Sequence, residues 1–399
     1  MRLRALAILA AATTACHSAR PEPASAGIAT ASPTVLGFDS VRLATVVTYL
    51  RAEVDSGAFP GAVVAVGRHG RLALLAAAGH YGVEDKHPVE PGTLYDLASL
   101  TKVIGLTTAC MLLVDQGKLE LDAPVQRYVP AFRGRYKERV TIRHLLTHSS
   151  GLPAWRPLYR ETETRAAALA LVDTTPLDAP PGERFVYSDL GAMVLMQVVD
   201  TLAGEPLDRF LESNVFGPLG MTATRFVPPP SWRDKIAPTE HDTTFRRRLL
   251  RGEVHDANAA RLEGVSGHAG LFSNALDLSR FAAMLLSGGA WDDLQLVRSE
   301  TVAEFTERQN MPPGSSRALG WDTPSEPRDA GSSAGTKLSP GSFGHTGFTG
   351  TSIWMDPDRD LFIILLTNRV NMPTATTTIR RVRPRVADLV IDALTAPEL

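Results

Sequence analysis

The stretch GAVVAVGRHGRLALLAAAG (residues 61–79) reads as two apolar runs around a short turn. Neither run has helical spacing, and glycines bound both, which suits strands of a buried sheet. Within RHGR, His69 and Gly70 suit a tight hairpin turn. Near the other end, TSIWMD (351–356), the turn PDRD and LFIILLTN (361–368) repeat the pattern, and RVADLVIDALT (385–395) looks helical. Before the first hairpin, Asp39 is a candidate N-cap for a helix carrying Val46, Val47, Leu50 and Val54. Strands at both ends with helices between them predict an α+β fold. Its antiparallel sheet is built from both termini and flanked by helices, with a mostly helical insertion over about residues 118–265.

Four middle segments have helical spacing: residues 99–116, TIRHLLTH (141–148, capped by Thr141), LGAMVLMQVVDTLAG (190–204, ended by Gly204) and NALDLSRFAAMLLSGG (274–289). Residues 310–342, rich in Gly, Pro and Ser, read mostly as a long loop. With 44% hydrophobic and 21% charged residues over 399 positions, the chain has the balance of a soluble globular protein. A net charge of −2 gives no electrostatic case for a nucleic-acid partner or an anionic membrane surface.

At the N-terminus, MRLR followed by ALAILAAATTAC predicts a signal peptide over 1–16, with Cys16 as a possible lipid-anchor site. Residues 17–38 read as a flexible tether leading to a domain over 39–395. No other segment looks long and apolar enough to cross a membrane. Once Cys16 is acylated or removed, Cys110 stands alone, and neither a disulfide framework nor a CxxC metal pattern remains. The expected location is the periplasm or the cell envelope.

In YDLASLTKV (95–103), one of only six lysines, against thirty-five arginines, follows a serine by three positions. On a helix, residues i and i+3 share a face, so Ser99 and Lys102 can touch. A serine hydroxyl needs a neighbouring base to become a useful nucleophile, and a buried lysine can lose its proton where an arginine cannot. Alone, the pair fits a helix cap with a solvated lysine equally well. FVYSDLG then places Tyr187 and Asp189 just before a helix, and FGHTGFTG places His345, Thr346 and Gly347 on an expected strand.

Ser-x-x-Lys, Tyr-x-Asp and His-Thr-Gly in that order resemble the three active-site motifs of the penicillin-recognising serine hydrolases: class C β-lactamases, D-alanyl-D-alanine peptidases and related esterases. The resemblance covers about residues 40–395. It implies Ser99 as the acylated nucleophile beside Lys102, and Tyr187 as the proton shuttle to the leaving group. It also implies an oxyanion hole from the backbone N–H groups of Ser99 and Phe348, with Gly347 admitting substrate to the strand edge. His345 stands where many relatives have lysine, and would bond Tyr187 or a substrate carboxylate with more pH sensitivity; Thr346 could serve the same carboxylate.

Asp189 departs from the usual Asn: an ionised Asp accepts hydrogen bonds but cannot donate one to a substrate's acylamino carbonyl. It also favours the ammonium form of Lys102, which points to the Tyr187 phenolate as the base. No cofactor or metal is expected. GSSAG (331–335) matches a nucleophile elbow but lies in a loop, so Ser333 is set aside. His144 and His148 lack the Glu of a zinc helix and read as packing or capping residues. His255, Asp256 and His268 read as loop anchors that could line the site. The function expected is an envelope serine hydrolase acting through an acyl-enzyme on a D-alanyl peptide, a β-lactam or a small ester. The rival is a non-catalytic binding or sensing module.

Overall fold

The structure is a computed structural model, and it describes residues 27–325, 332–373 and 377–395. Helix α1 (Ser40–Asp55) starts where Asp39 accepts the Val41 and Arg42 amides, and it buries Leu43, Val46 and Leu50. Strands β1 (Gly61–Arg68) and β2 (Arg71–Gly79) follow. The turn between them has His69 and Gly70 both left-handed, φ 54° and 66°, as the right-handed twist of a two-residue hairpin requires. After them come α2 (Thr108–Asp115), α3 (Ile142–Leu146), α4 (Asp189–Ala203), α5 (Ala275–Leu286), β3 (Phe343–Thr346), β4 (Ser352–Asp356), β5 (Leu361–Thr367) and α6 (Ile379–Asp392).

The five strands form one antiparallel sheet in the order β3-β4-β5-β1-β2, so both chain ends supply it. Strands β1 and β5 are buried on both faces, which is why their sequences are continuously apolar rather than alternating. Val64, Val66, Ile363 and Leu365 pack under α1 and α6, while Val63, Ala65, Ile364 and Leu366 face α5 and share one continuous core with the helical region.

A second, three-stranded sheet was not visible in the sequence: Tyr95–Asp96 pairs with Leu271–Ser273, which pairs with Arg225–Phe226. Its strands are two or three residues long, too short for a periodicity to register. It brings the chain before Ser99 against the chain after His268.

Two expectations are corrected. Residues 27–38 are not a tether: Ala31 N–H donates to Leu72 O and Leu72 N–H to Ala29 O, 3.0 and 2.8 Å, along the free edge of β2. Ile28, Leu36 and Phe38 are buried, enough apolar surface to hold this segment down. Residues 1–26, with Cys16 and the expected signal, lie outside the described residues.

The segment 310–325 is irregular, as expected of a loop, and it buries Ala318, Leu319 and Trp321, with Asp322 bridging to Gly344 of β3. Finally, Ala98–Asp115 is long and apolar enough to span a membrane by composition; here it is a buried core element of the fold.

Candidate active site

The Ser99 turn is backbone-driven. Ala98 is left-handed at φ 47°, an uncommon conformation for a residue with a Cβ. The Asp96 carboxylate holds it by accepting the Ala98 amide at 2.8 Å. A 3₁₀ turn (Ala98–Leu100) and a π-helical turn (Lys102–Thr107) then lead into α2, so the expected uniform helix from 99 to 116 begins irregularly. Bulges of this kind concentrate at functional sites.

Lys102 is 3% exposed and has three oxygen partners: Ser99 Oγ at 3.0 Å, His268 O at 3.0 Å and Asp189 Oδ1 at 2.7 Å. An ammonium has three N–H bonds to give, and each has an acceptor. Burial works against its charge, but the Asp189 carboxylate and Tyr187 outweigh burial and raise the pKa above the ordinary lysine value. Lys102 is therefore a donor to Ser99, not an acceptor of its proton.

Asp189 is the first residue of α4, capped by Ser188, whose Oγ accepts the Gly191 amide. A carboxylate there also meets the positive end of the helix dipole. Tyr187, one residue before the cap, puts its ring 4.8 Å from Lys102 Nζ and lines the same cleft as Ser99. Its other face meets His148, ring centroids 4.6 Å apart. His148 Nδ1 accepts the Ser188 amide at 3.1 Å and its carbonyl accepts the Val186 amide, so this imidazole shapes the Tyr187 loop. Burial holds His148 neutral, its pKa well below the usual histidine value. His144 completes the capping box at Thr141. Both histidines are packing and capping residues, and among the described residues no cluster could hold a metal ion.

The strand wall is closed against the Ser99 turn. Thr351 and Thr349 hydroxyls donate to the Leu97 and Asp96 carbonyls at 3.0 and 2.8 Å. A Cβ on Gly347 would stand 2.1 Å from Thr351 Oγ1 and 2.4 Å from Leu97 O, so only glycine fits. Among the described residues the Phe348 amide has no intramolecular acceptor. Its ring is 58% exposed and stacks on His255, centroids 5.6 Å apart.

His345 departs from expectation. Its Nδ1–H donates to the Thr346 carbonyl at 2.8 Å, its Nε2 has no partner among the described residues, and its ring faces that of Tyr187 at 5.8 Å without a hydrogen bond. Burial first, then the charges of Arg317 and Lys102, push its pKa well below the usual value. Both causes favour the neutral imidazole.

His255, Asp256 and His268 both anchor their loop and reach the site. Asp256 caps a short helix through the Ala259 amide and bonds His268 Nε2 at 2.9 Å, while Ser266 Oγ meets His268 Nδ1 at 2.7 Å. This network fixes the carbonyl that Lys102 uses. Two contributors were missed in the sequence. Asp96 accepts both the Ala98 amide and the His255 amide (2.6 Å), and Arg317, from the irregular segment, sits 5.4 Å over the Tyr187 ring. Ser333 lies in a turn outside this cleft.

A hydroxyl, an ammonium and a phenol thus meet beside a glycine-edged strand, in an open cleft of about 530 Å³. This is the constellation of a serine acyl-transfer enzyme. The chain belongs to the Beta-lactamase family, whose profile matches residues 46–387, and it is a serine hydrolase of that family. It is 32% identical over 391 residues to a protein of Salmonella schwarzengrund (strain CVM19633) named "Putative D-alanyl-D-alanine carboxypeptidase", with 87% of each chain covered. Among solved structures it resembles "EstCE1, a hydrolase with promiscuous acyltransferase activity", with 27% identity, TM-score 0.71, and 88% of this chain and 99% of that one covered. A class C β-lactamase from Rhodobacter sphaeroides shares the fold at TM-score 0.69 and 22% identity, over 88% of this chain and all of the other.

Proposed function

We propose that this hydrolase cleaves a D-alanyl peptide at the cell envelope, with Ser99, Lys102 and Tyr187 as its catalytic residues. Tyr187, acting as the phenolate, takes the Ser99 proton as Oγ attacks the carbonyl carbon, and passes it to the departing amine as the C–N bond breaks. Water then attacks the Ser99 ester, releases the acid and restores the hydroxyl. Lys102 stays an ammonium throughout, orienting Oγ and stabilising the negative charge that Tyr187 carries before it takes the Ser99 proton and again after it gives that proton to the amine. The Ser99 and Phe348 amides hold the oxyanion, Thr346 and Gly347 receive the substrate along the strand edge, and no cofactor is required.

One observation carries this reading: Lys102 Nζ donates to Ser99 Oγ while it is paired to Asp189 at 2.7 Å. The envelope address rests on the N-terminal sequence, with Cys16 as a lipid-attachment residue, and on the names of the relatives. A second reading, a small-ester hydrolase, is favoured by Asp189 itself, which has no N–H for a substrate acylamino carbonyl.

Labelling the purified chain with a fluorophosphonate, followed by turnover of D-alanyl peptides, a nitrophenyl ester and a chromogenic cephalosporin, tests the proposal. Label on Ser99 with faster peptide than ester turnover is expected. Ester turnover alone would replace the peptidase reading, and no label on Ser99 would leave a binding module.

A further inference from the structure

Beside Ser99, the cleft is lined by four guanidinium groups: Arg317, Arg369 just after β5, and Arg380 and Arg383 of α6. A single carboxylate, Asp322, is among the lining residues, 3.9 Å from Arg317 Nε. Arg317 is 7% exposed, yet its buried Nη1 has no partner among the described residues, and neither does the buried Nε of Arg383. Arg383 otherwise donates to the Gly347 and Thr351 carbonyls at 2.6 and 2.9 Å, which ties the cluster to the strand that borders Ser99. The cations also act on one another: burial, then Arg369 and Arg380, lower the Arg383 pKa to about 9. Like charges held together in the fold cost stability that a bound anion would return.

Nothing in the inner site answers this charge. Lys102 and Asp189 cancel, and His345 is neutral. One carboxylate is satisfied by one bidentate guanidinium, so a group of three or four is more than a single carboxylate needs. Thr346 lines the cleft with these arginines whereas Asp189 does not, and an adjoining cavity of about 510 Å³ shares Asp322, Thr346, Arg380 and Arg383.

We infer that the part of the substrate released from the acyl group carries two or more negative charges, as a dicarboxylate or a phosphate, held by Arg317, Arg380 and Arg383. This deepens the acyl-transfer reading above and rests on it for the position of the scissile bond.

Four peptides with one acyl part, acetyl-D-alanine, and different leaving groups test it: D-alaninamide, D-alanine, D-glutamate and O-phospho-D-serine. The kcat/KM should be at least about tenfold higher for one of the two doubly charged groups than for D-alanine, the range of a charge-assisted hydrogen bond. The preferred one identifies the anion. The advantage should vanish in Arg380→Gln, an exposed position where folding is not at stake. Binding is read separately in Ser99→Ala by thermal shift, with succinate and inorganic phosphate against acetate. A dianion-specific rise that Arg380→Gln removes supports the inference even if no peptide is cleaved, in which case the peptidase reading alone fails. Turnover of D-alanine and dianionic peptides at equal rates, with no dianion-specific shift, overturns the inference and leaves the peptidase reading standing.

Discussion

Replacing Asp189 by Asn would remove the carboxylate paired with a 3%-exposed ammonium. At 2.7 Å the attraction is about 6 kcal/mol for an effective dielectric constant near 20. Part of that offsets desolvation, and breaking one side of such a buried pair costs about 3–5 kcal/mol. With an unfolding entropy of about 2.1 cal/mol/K per residue over roughly 360 described residues, the expected loss in Tm at neutral pH is about 4–7 °C. The pH dependence carries the diagnosis. In the wild type the folded pKa of Lys102 is raised, so its contribution is fully present below the unfolded lysine value and is lost only as pH rises through the folded pKa. In Asp189→Asn, burial is no longer opposed by the carboxylate, the folded pKa falls below the unfolded one, and stability rises as pH climbs toward the unfolded value. The Tm gap between the two proteins should therefore narrow between pH 7 and pH 10, measured by calorimetry. The same change frees Lys102 to act as a base and should move the acidic limb of the pH–rate profile. A gap that stays constant across that window would refute the ammonium assignment.

Three other outcomes follow from contacts already described. Tyr187→Phe keeps the ring packing on His148 but removes the phenol, so kcat should fall by about 10²–10⁴ with Tm unchanged, as read by steady-state kinetics beside calorimetry. Gly347→Ala would force a methyl to within 2.1 Å of Thr351 Oγ1, displacing the neighbouring Phe348 amide; a loss of about 10²–10³ in kcat, with fluorophosphonate labelling slowed in parallel, is expected. Phe38→Ala, at a fully buried position in the segment before α1, should cost about 3–5 kcal/mol in chemical denaturation, whereas a tether there would give no change.

The sheet and the three motifs were legible because each leaves a local signature. Strands β1 and β5 are buried on both faces and so are written as unbroken apolar runs, and His69-Gly70 marks a turn that few residue pairs can make. What stayed hidden depends on contacts between distant positions. Asp96 is an ordinary acidic residue until the short sheet brings Leu271–Ser273 alongside and leaves it bonded to the His255 amide, 159 residues on. Arg317 lies in a segment whose Gly, Pro and Ser content reads as loop, and it is pinned to the cleft by the buried Trp321, packed on Phe281 and Phe343, and by the bridge from Asp322 to Gly344. Residues 27–38 were misread for the converse reason: their few large apolar residues are spaced irregularly, yet Ile28, Leu36 and Phe38 each find a buried site.

The two departures from the family pattern, Asp189 for Asn and His345 for Lys, make sense together. Each lowers the charge around Ser99 by one, leaving Lys102 balanced by Asp189 and a neutral imidazole on the strand. A lysine at 345 would be a second buried ammonium facing Arg317 and Lys102, the same charges that now hold His345 neutral. The positive charge lies farther out instead, on guanidiniums of α6 and of the irregular segment, which keep a fixed charge and a fork geometry where lysine would offer a movable point charge. On the proposed mechanism, proton transfer between Ser99 and Tyr187 would proceed in a nearly neutral setting inside, while the field outside would act on the substrate. On this division His345→Lys should impair acylation, because it returns a charge to the inner site, while dianion binding at the arginines is kept. Equal loss of acylation and of phosphate-induced thermal stabilisation in that variant would show that the two regions are not separable.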